Sequence, residues 1–190
     1  MCSTNMIWGS RMPTTSKQSL QWLYSMVPKL RSYKIPEEAF NPRKSNSVFI
    51  GGVFLYGYDP KHKETLPWYD TLPLVIPIEI YNDGWLGLNL HYLPKRQRRA
   101  LLDKLDSYRR RVGDPRSYMA LSYRMLSAAA KSSLFEPCLH RYLANHVTSR
   151  LLRIDDGYWP EVVELPIQQF KKASASEVWR QHRPQRRKRK

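Results

Sequence analysis

The tripeptide Asn82-Asp83-Gly84 lies between two apolar runs and ties them into a hairpin. Asp-Gly tolerates positive φ at both central turn positions, the geometry that matches the twist of two antiparallel strands. Before the turn, residues 72–80 (LPLVIPIEI) read as one strand. After it, residues 85–92 (WLGLNLHY) alternate, with Leu86, Leu88 and Leu90 on one face and Trp85, Asn89 and His91 on the other. Pro73 and Pro77 have no N–H to give a ladder, so the first strand is expected at an edge or with one side turned away from pairing. A third apolar run, residues 48–58 (VFIGGVFLYGY), carries Gly51-Gly52 as a bulge or bend and stops at Asp59-Pro60.

Charge divides the chain more sharply than hydropathy does. Residues 1–94 hold 9 Lys and Arg against 7 Asp and Glu, whereas residues 95–190 hold 23 against 9. The excess culminates in RQHRPQRRKRK, residues 180–190, which contains seven basic side chains and no acid. A field of that size on one half points to a polyanionic partner, either nucleic acid or an acidic protein surface. With 42% hydrophobic and 12% aromatic residues the chain is nonetheless composed to fold.

The basic half reads as helical. Pro94 stands where a helix begins, and Leu101, Leu105, Tyr108 and Val112 form an apolar stripe opposite Lys95, Arg96, Arg99 and Arg110. Asp114-Pro115 supplies a cap and a first-turn proline for a second helix, with Tyr118, Leu121, Met125 and Ala129 inward. Leu139, Leu143, His146, Val147 and Arg150 are spaced for a third, and a helix-like stretch precedes Arg180. Residues 1–46, punctuated by Pro13, Pro28, Pro36 and Pro42, carry helical spacing only over residues 16–26 and read as an arm that lies on a partner. The expected fold is therefore α+β. A short antiparallel sheet or hairpin at about 47–92 is followed by a helical half within one domain, 47–179. An extended arm at 1–46 and a basic tail at 180–190 flank it.

No catalytic constellation assembles from these residues. Glu79 lies on a strand, but Tyr81 stands where a restriction-type nuclease core needs lysine. Asp59 and Asp70 flank a loop as turn formers do. There is no HExxH, no Cys/His cluster, no glycine-rich phosphate loop before a helix and no nucleophile elbow. Cys2 and Cys138 are the only cysteines, and both are expected as reduced thiols, Cys138 as inert core. No signal peptide or apolar span is visible. The expectation is a non-enzymatic protein with no cofactor, no metal and no membrane.

Two groups of residues are candidates for contact. Lys95, Arg96, Arg98, Arg99 and Arg110, with Arg183, Arg186, Arg187, Lys188, Arg189 and Lys190 of the tail, suit phosphates or acidic partners. Tyr58, Lys61, Lys63 and Trp68 combine rings and cations around one loop, which suits stacking on bases or on a partner's arginines.

The runs YGYDPKHKETLPWYDTLPLVIPIE (56–79), GWLGLNLHYLP (84–94) and LPIQQFKKASASEVW (165–179) resemble small structural proteins of T-even-like tailed bacteriophages. That resemblance spans roughly the last three-quarters of the chain. It implies a virion component made in the bacterial host cytoplasm: a part of the tail, baseplate or neck, in multiple copies among other virion proteins. The second reading it leaves open is a sequence-independent DNA-binding protein that protects the ends of the packaged genome.

Overall fold

The structure is a computed structural model that describes residues 12–43, 48–132 and 135–181. Its framework is a six-stranded antiparallel sheet in the order β1-β7-β2-β4-β5-β6. The strands are β1 (Phe40–Arg43), β2 (Val53–Leu55), β4 (Leu74–Tyr81), β5 (Gly84–Asn89), β6 (Leu139–Leu143) and β7 (Leu151–Ile154). A two-stranded ribbon pairs β3 (Tyr69–Asp70) with β8 (Phe170–Lys171). Among the described residues there are five α-helices: α1 (Ser16–Met26), α2 (Lys95–Arg111), α3 (Pro115–Ala130), α4 (Trp159–Glu164) and α5 (Ala175–Gln181). The α+β class is as the sequence indicates.

The expected hairpin is β4–β5, with Tyr81 opposite Gly84 and Ile80 opposite Trp85. β4 is an interior strand, yet its one proline, Pro77, costs little, and Pro73 falls just before it. Pairing with β2 ends at Val75, before Pro77, and the β5 register slips between Pro77 and Glu79. The turn falls on Asn82-Asp83, neither at positive φ, and not on the expected Asp83-Gly84 pair. Gly84 opens β5 at φ +154°, where a Cβ would lie 1.9 Å from the Tyr142 carbonyl oxygen, so only glycine fits.

Strand alternation sorts side chains onto two faces. Val53, Leu55, Leu74, Ile76, Ile78, Leu152 and Ile154 face the main core with Leu101 and Leu105 of α2 and Val162 and Val163 of α4. Phe54, Tyr56, Tyr58, Val75, Trp85, Tyr142 and Leu151 form a second, mostly aromatic cluster. Its rings meet edge to face at 5.0–5.7 Å for Tyr56–Trp85, Tyr56–Tyr142 and Tyr58–Tyr142. Covering both faces explains why these strands read as nearly continuous apolar runs.

Three expectations change. Residues 12–43 do not extend as an arm. Thr15 and Gln18 close a capping box on α1, whose Leu20 and Leu23 enter the main core together with Val27, Leu30 and Phe40. β1 then pairs with β7 along Phe40–Arg43, at an outer position of the sheet where Pro42 is tolerated. The segment expected as a third helix is instead β6, joined by a turn to β7. Leu139 and Leu143, four apart, satisfy a two-residue period as well as a helical one. Pairing across β5, with Tyr142 opposite Trp85, decides between them. Finally, α3 turns Ser122 and Leu126 fully inward, while Tyr118, Leu121, Met125 and Ala129 stay half-buried.

Candidate nucleic-acid interface

α2 and α3 carry the cationic layer. Residues 95–131 hold eleven Lys and Arg against three Asp. Because α2 docks on the sheet and α4 through Leu101, Leu102 and Leu105, its remaining faces carry Lys95, Arg96, Arg99, Lys104, Arg110 and Arg111 to solvent. Lys95 and Arg99 share Glu164 of α4, at 3.7 and 3.8 Å, and Arg110 pairs with Asp106 at 3.1 Å. Arg96 has no carboxylate partner among the described residues. Such exposed pairs are weak and screened, so these side chains can exchange a carboxylate for a phosphate at little cost.

Arg98 is the exception, and the expectation that it meets a partner is corrected. It is completely buried, at 0% exposure. Nε donates to the Leu93 carbonyl at 2.7 Å, and the terminal nitrogens donate to the carbonyls of His91 at 3.2 Å and Val163 at 3.5 Å. The guanidinium also stacks on the Trp179 ring at 5.3 Å. Burial pushes its pKa down to about 10, which still leaves it charged at neutral pH. Arg98 thus fastens α2 to α4, α5 and the turn after β5. The candidates Arg183, Arg186, Arg187, Lys188, Arg189 and Lys190 lie outside the described residues, as does Cys2. Cys138 is buried at the end of a short 3₁₀ turn, Glu136–Cys138, just before β6. Burial raises its thiol pKa to about 12, out of reactive range.

The loop after β2 builds one side of a cleft of about 410 Å³. Tyr58, Lys61, His62, Trp68 and Tyr69 come from the loop side, Asn89 and Tyr92 from the end of β5, and His140 to Leu143 from β6. Lys63, grouped with these from the sequence, instead bonds Asp59 at 2.8 Å and does not line the cleft. The loop is held by Lys172, whose ammonium donates to the carbonyls of Lys63, Glu64 and Leu66 at 2.7, 2.9 and 3.1 Å. Lys172 does so from a left-handed backbone, φ 67°, a conformation that a non-glycine residue adopts only when its surroundings compel it.

Asp70 lies at the bottom of the cleft, almost fully buried. Its Oδ1 accepts from the backbone N–H of Leu72 at 3.0 Å and of Gln169 at 3.3 Å. Its Oδ2 accepts from Asn89 Nδ2 at 3.3 Å and His91 Nδ1 at 2.6 Å. Burial drives the carboxyl pKa upward, but His91 and the donated hydrogen bonds outweigh it, and the group sits below the ordinary carboxylate range. Burial likewise lowers the His91 pKa more than Asp70 raises it. The pair is therefore an ionised carboxylate accepting a hydrogen bond from the Nδ1–H of a neutral imidazole. Asp59 and Asp70, which flank the loop, are engaged separately, by Lys63 and His91 respectively.

Tyr92, His140 and Tyr142 are cleft residues that the sequence reading did not single out. The signal for the last two was the alternation of LHRYL, obscured by the four-residue spacing of its leucines.

These features define a class: a basic α+β protein with a cationic helical layer and an aromatic-lined cleft. The chain belongs to the family of the phage T4 terminal DNA protecting protein, whose model matches residues 13–182. It is accordingly a T4-like phage protein. No curated protein and no solved structure matches it. Among the described residues, no helix is long and apolar enough to cross a membrane.

Proposed function

We infer that the protein binds the ends of linear genomic DNA in the virion and shields them, acting by occupancy and not by catalysis. The observation that carries this reading is the family match over residues 13–182, and the cationic layer of α2 and α3 gives it a physical basis. Arg96, Arg99, Lys104 and Arg110 contact phosphates without reading sequence, as a cap that must fit any terminus requires. The match favours genome-end protection over a tail, neck or baseplate part, the first expectation from the sequence. A linear genome has two ends, so few copies are needed, whereas a ring in the tail would need many. Other virion proteins remain partners insofar as the capped end must sit within the particle.

The test is nuclease challenge. Linear duplex incubated with the purified protein and then with a processive exonuclease should survive, while an endonuclease should cut its interior at an unchanged rate. Equal digestion of the ends with and without the protein would contradict the reading.

A further inference from the structure

We propose that the cleft between the loop after β2 and strand β6 is a socket for one unpaired base at a DNA terminus, a proposal that rests on the end-binding reading above. Its volume, about 410 Å³, falls in the range of small-ligand clefts, roughly 300–1,000 Å³, and is far too small for a duplex. The lining is aromatic and comes from separate chain segments: Tyr58, Trp68 and Tyr69 from the loop side, Tyr92 from the end of β5 and Tyr142 from β6, with Tyr58 and Tyr142 in ring contact at 5.0 Å. Tyr58, Tyr92 and Tyr142 are buried and packed on one another or on other rings, so they form the backing. Half-buried Trp68 and Tyr69 present the accessible ring surface on which a base can stack.

The site is built rather than incidental. Three Lys172 hydrogen bonds fix the loop that carries Lys61 and Trp68. The ribbon of β3 and β8 fixes Tyr69 opposite Lys171. Tyr58 accepts the Leu143 amide at 3.1 Å, which locks its ring against β6.

Charge sets the orientation of the guest. Ionised Asp70 at the floor repels a phosphate, so the backbone of a bound nucleotide stays outside. At the mouth, Lys61 and His62 are exposed and Lys61 has no carboxylate partner among the described residues. The nearby Arg141 is already committed to Asp83, to the Tyr142 carbonyl and to the Tyr81 ring at 4.3 Å. The base therefore enters and its phosphate meets Lys61.

Selectivity follows from the floor. Asn89 Nδ2 is donated to Asp70 and Oδ1 accepts the His91 amide at 3.0 Å. With its polar groups already satisfied, the floor reads no base edge, and the socket discriminates a free end from a continuous strand without discriminating sequence. Interior bases of a duplex are stacked and paired, so only a frayed or overhanging terminal nucleotide enters cheaply.

The test uses the full chain and short duplexes with a blunt end, a one-nucleotide overhang, or ends closed by hairpin loops. 2-Aminopurine replaces the overhanging base as a stacking reporter. The expected result is quenching of 2-aminopurine and tighter binding of the overhang than of the closed ends. Trp68→Ala and Lys61→Glu should reduce overhang affinity roughly five- to a hundredfold while leaving binding to closed duplex and its salt slope nearly unchanged. Trp68→Phe, which restores a ring, should recover most of the loss and also controls for folding. If open ends are preferred but the overhang is neither quenched nor favoured, and Trp68→Ala changes nothing, the socket is refuted while end binding stands. If open and closed ends bind equally, the end-binding reading fails and the socket with it.

Discussion

Replacing Arg98 separates an internal fastener from a DNA contact. Arg98→Ala orphans the Leu93 carbonyl, a loss of about 1–3 kcal/mol for a buried acceptor. The His91 carbonyl keeps its bond from Trp179 Nε1 at 2.8 Å, so its loss is smaller. The stacking on Trp179 contributes about 0.5–2 kcal/mol, and the vacated stem leaves a cavity beneath α2. Against these stands relief from burying a charge, seen in the pKa lowered to about 10. The net expectation is a loss of about 3–5 kcal/mol, which for a domain of this size is a fall in Tm of roughly 6–20 °C. Urea denaturation measures it, with Arg96→Ala as the exposed control, expected within about 0.5 kcal/mol of the parent. Arg98→Lys should recover less than half, since an ammonium cannot reproduce the fork. A stability loss below about 1 kcal/mol in Arg98→Ala, accompanied by a reduced salt slope of DNA binding, would refute the assignment of Arg98 to the interior.

Three further outcomes are expected. His91 is buried neutral with a depressed pKa, so the unfolded chain takes up its proton as pH falls through about 6.5 while the folded protein does not. Stability should thus be full above that pH and decline below it, by up to about 1.4 kcal/mol per pH unit. Asp70, also depressed, adds a second loss beginning near pH 4, and His91→Gln should flatten the upper part of the curve in thermal melts at stepped pH. Gly84→Ala should cost about 3 kcal/mol or more, because its Cβ meets the Tyr142 carbonyl and its φ is positive; a melting curve like the parent's would count against the turn geometry. Arg96→Ala combined with Arg99→Ala should lower the salt slope of duplex binding by about two, measured by anisotropy at several salt concentrations. An unchanged slope would move the DNA to another face.

Much of this was legible. The hairpin between residues 72–80 and 85–92, the alternation of β5, the Asp114 cap and the apolar stripe of α2 are local signals. The structure places them as the sequence indicates, although the turn falls on Asn82-Asp83 and not on Asp83-Gly84. The failures are non-local. Leu30 and Ala39 enter the core from short turns at Pro28 and Pro36, and Phe40 from the strand that follows, so no period announces them. β6 has a spacing compatible with two periods and becomes a strand because β5 is there to pair with it. Arg98 did leave a trace: it lies three, four and seven residues before Leu101, Leu102 and Leu105, on the buried stripe itself. Reading every arginine of a basic helix as solvent-facing concealed it. The cleft combines residues 58–69, 89–92 and 140–143, and only the first of these groups was visible as a cluster in the chain.

The central claim is that the protein recognises a terminus. It is tested most directly by competition between a linear duplex and its relaxed, covalently closed circle of equal length, over about 50–200 mM salt. The account predicts that both affinities fall steeply with salt, by orders of magnitude for several phosphate contacts, while the linear form keeps an advantage of at least about tenfold throughout. Equal affinity for line and circle at every salt concentration would contradict it.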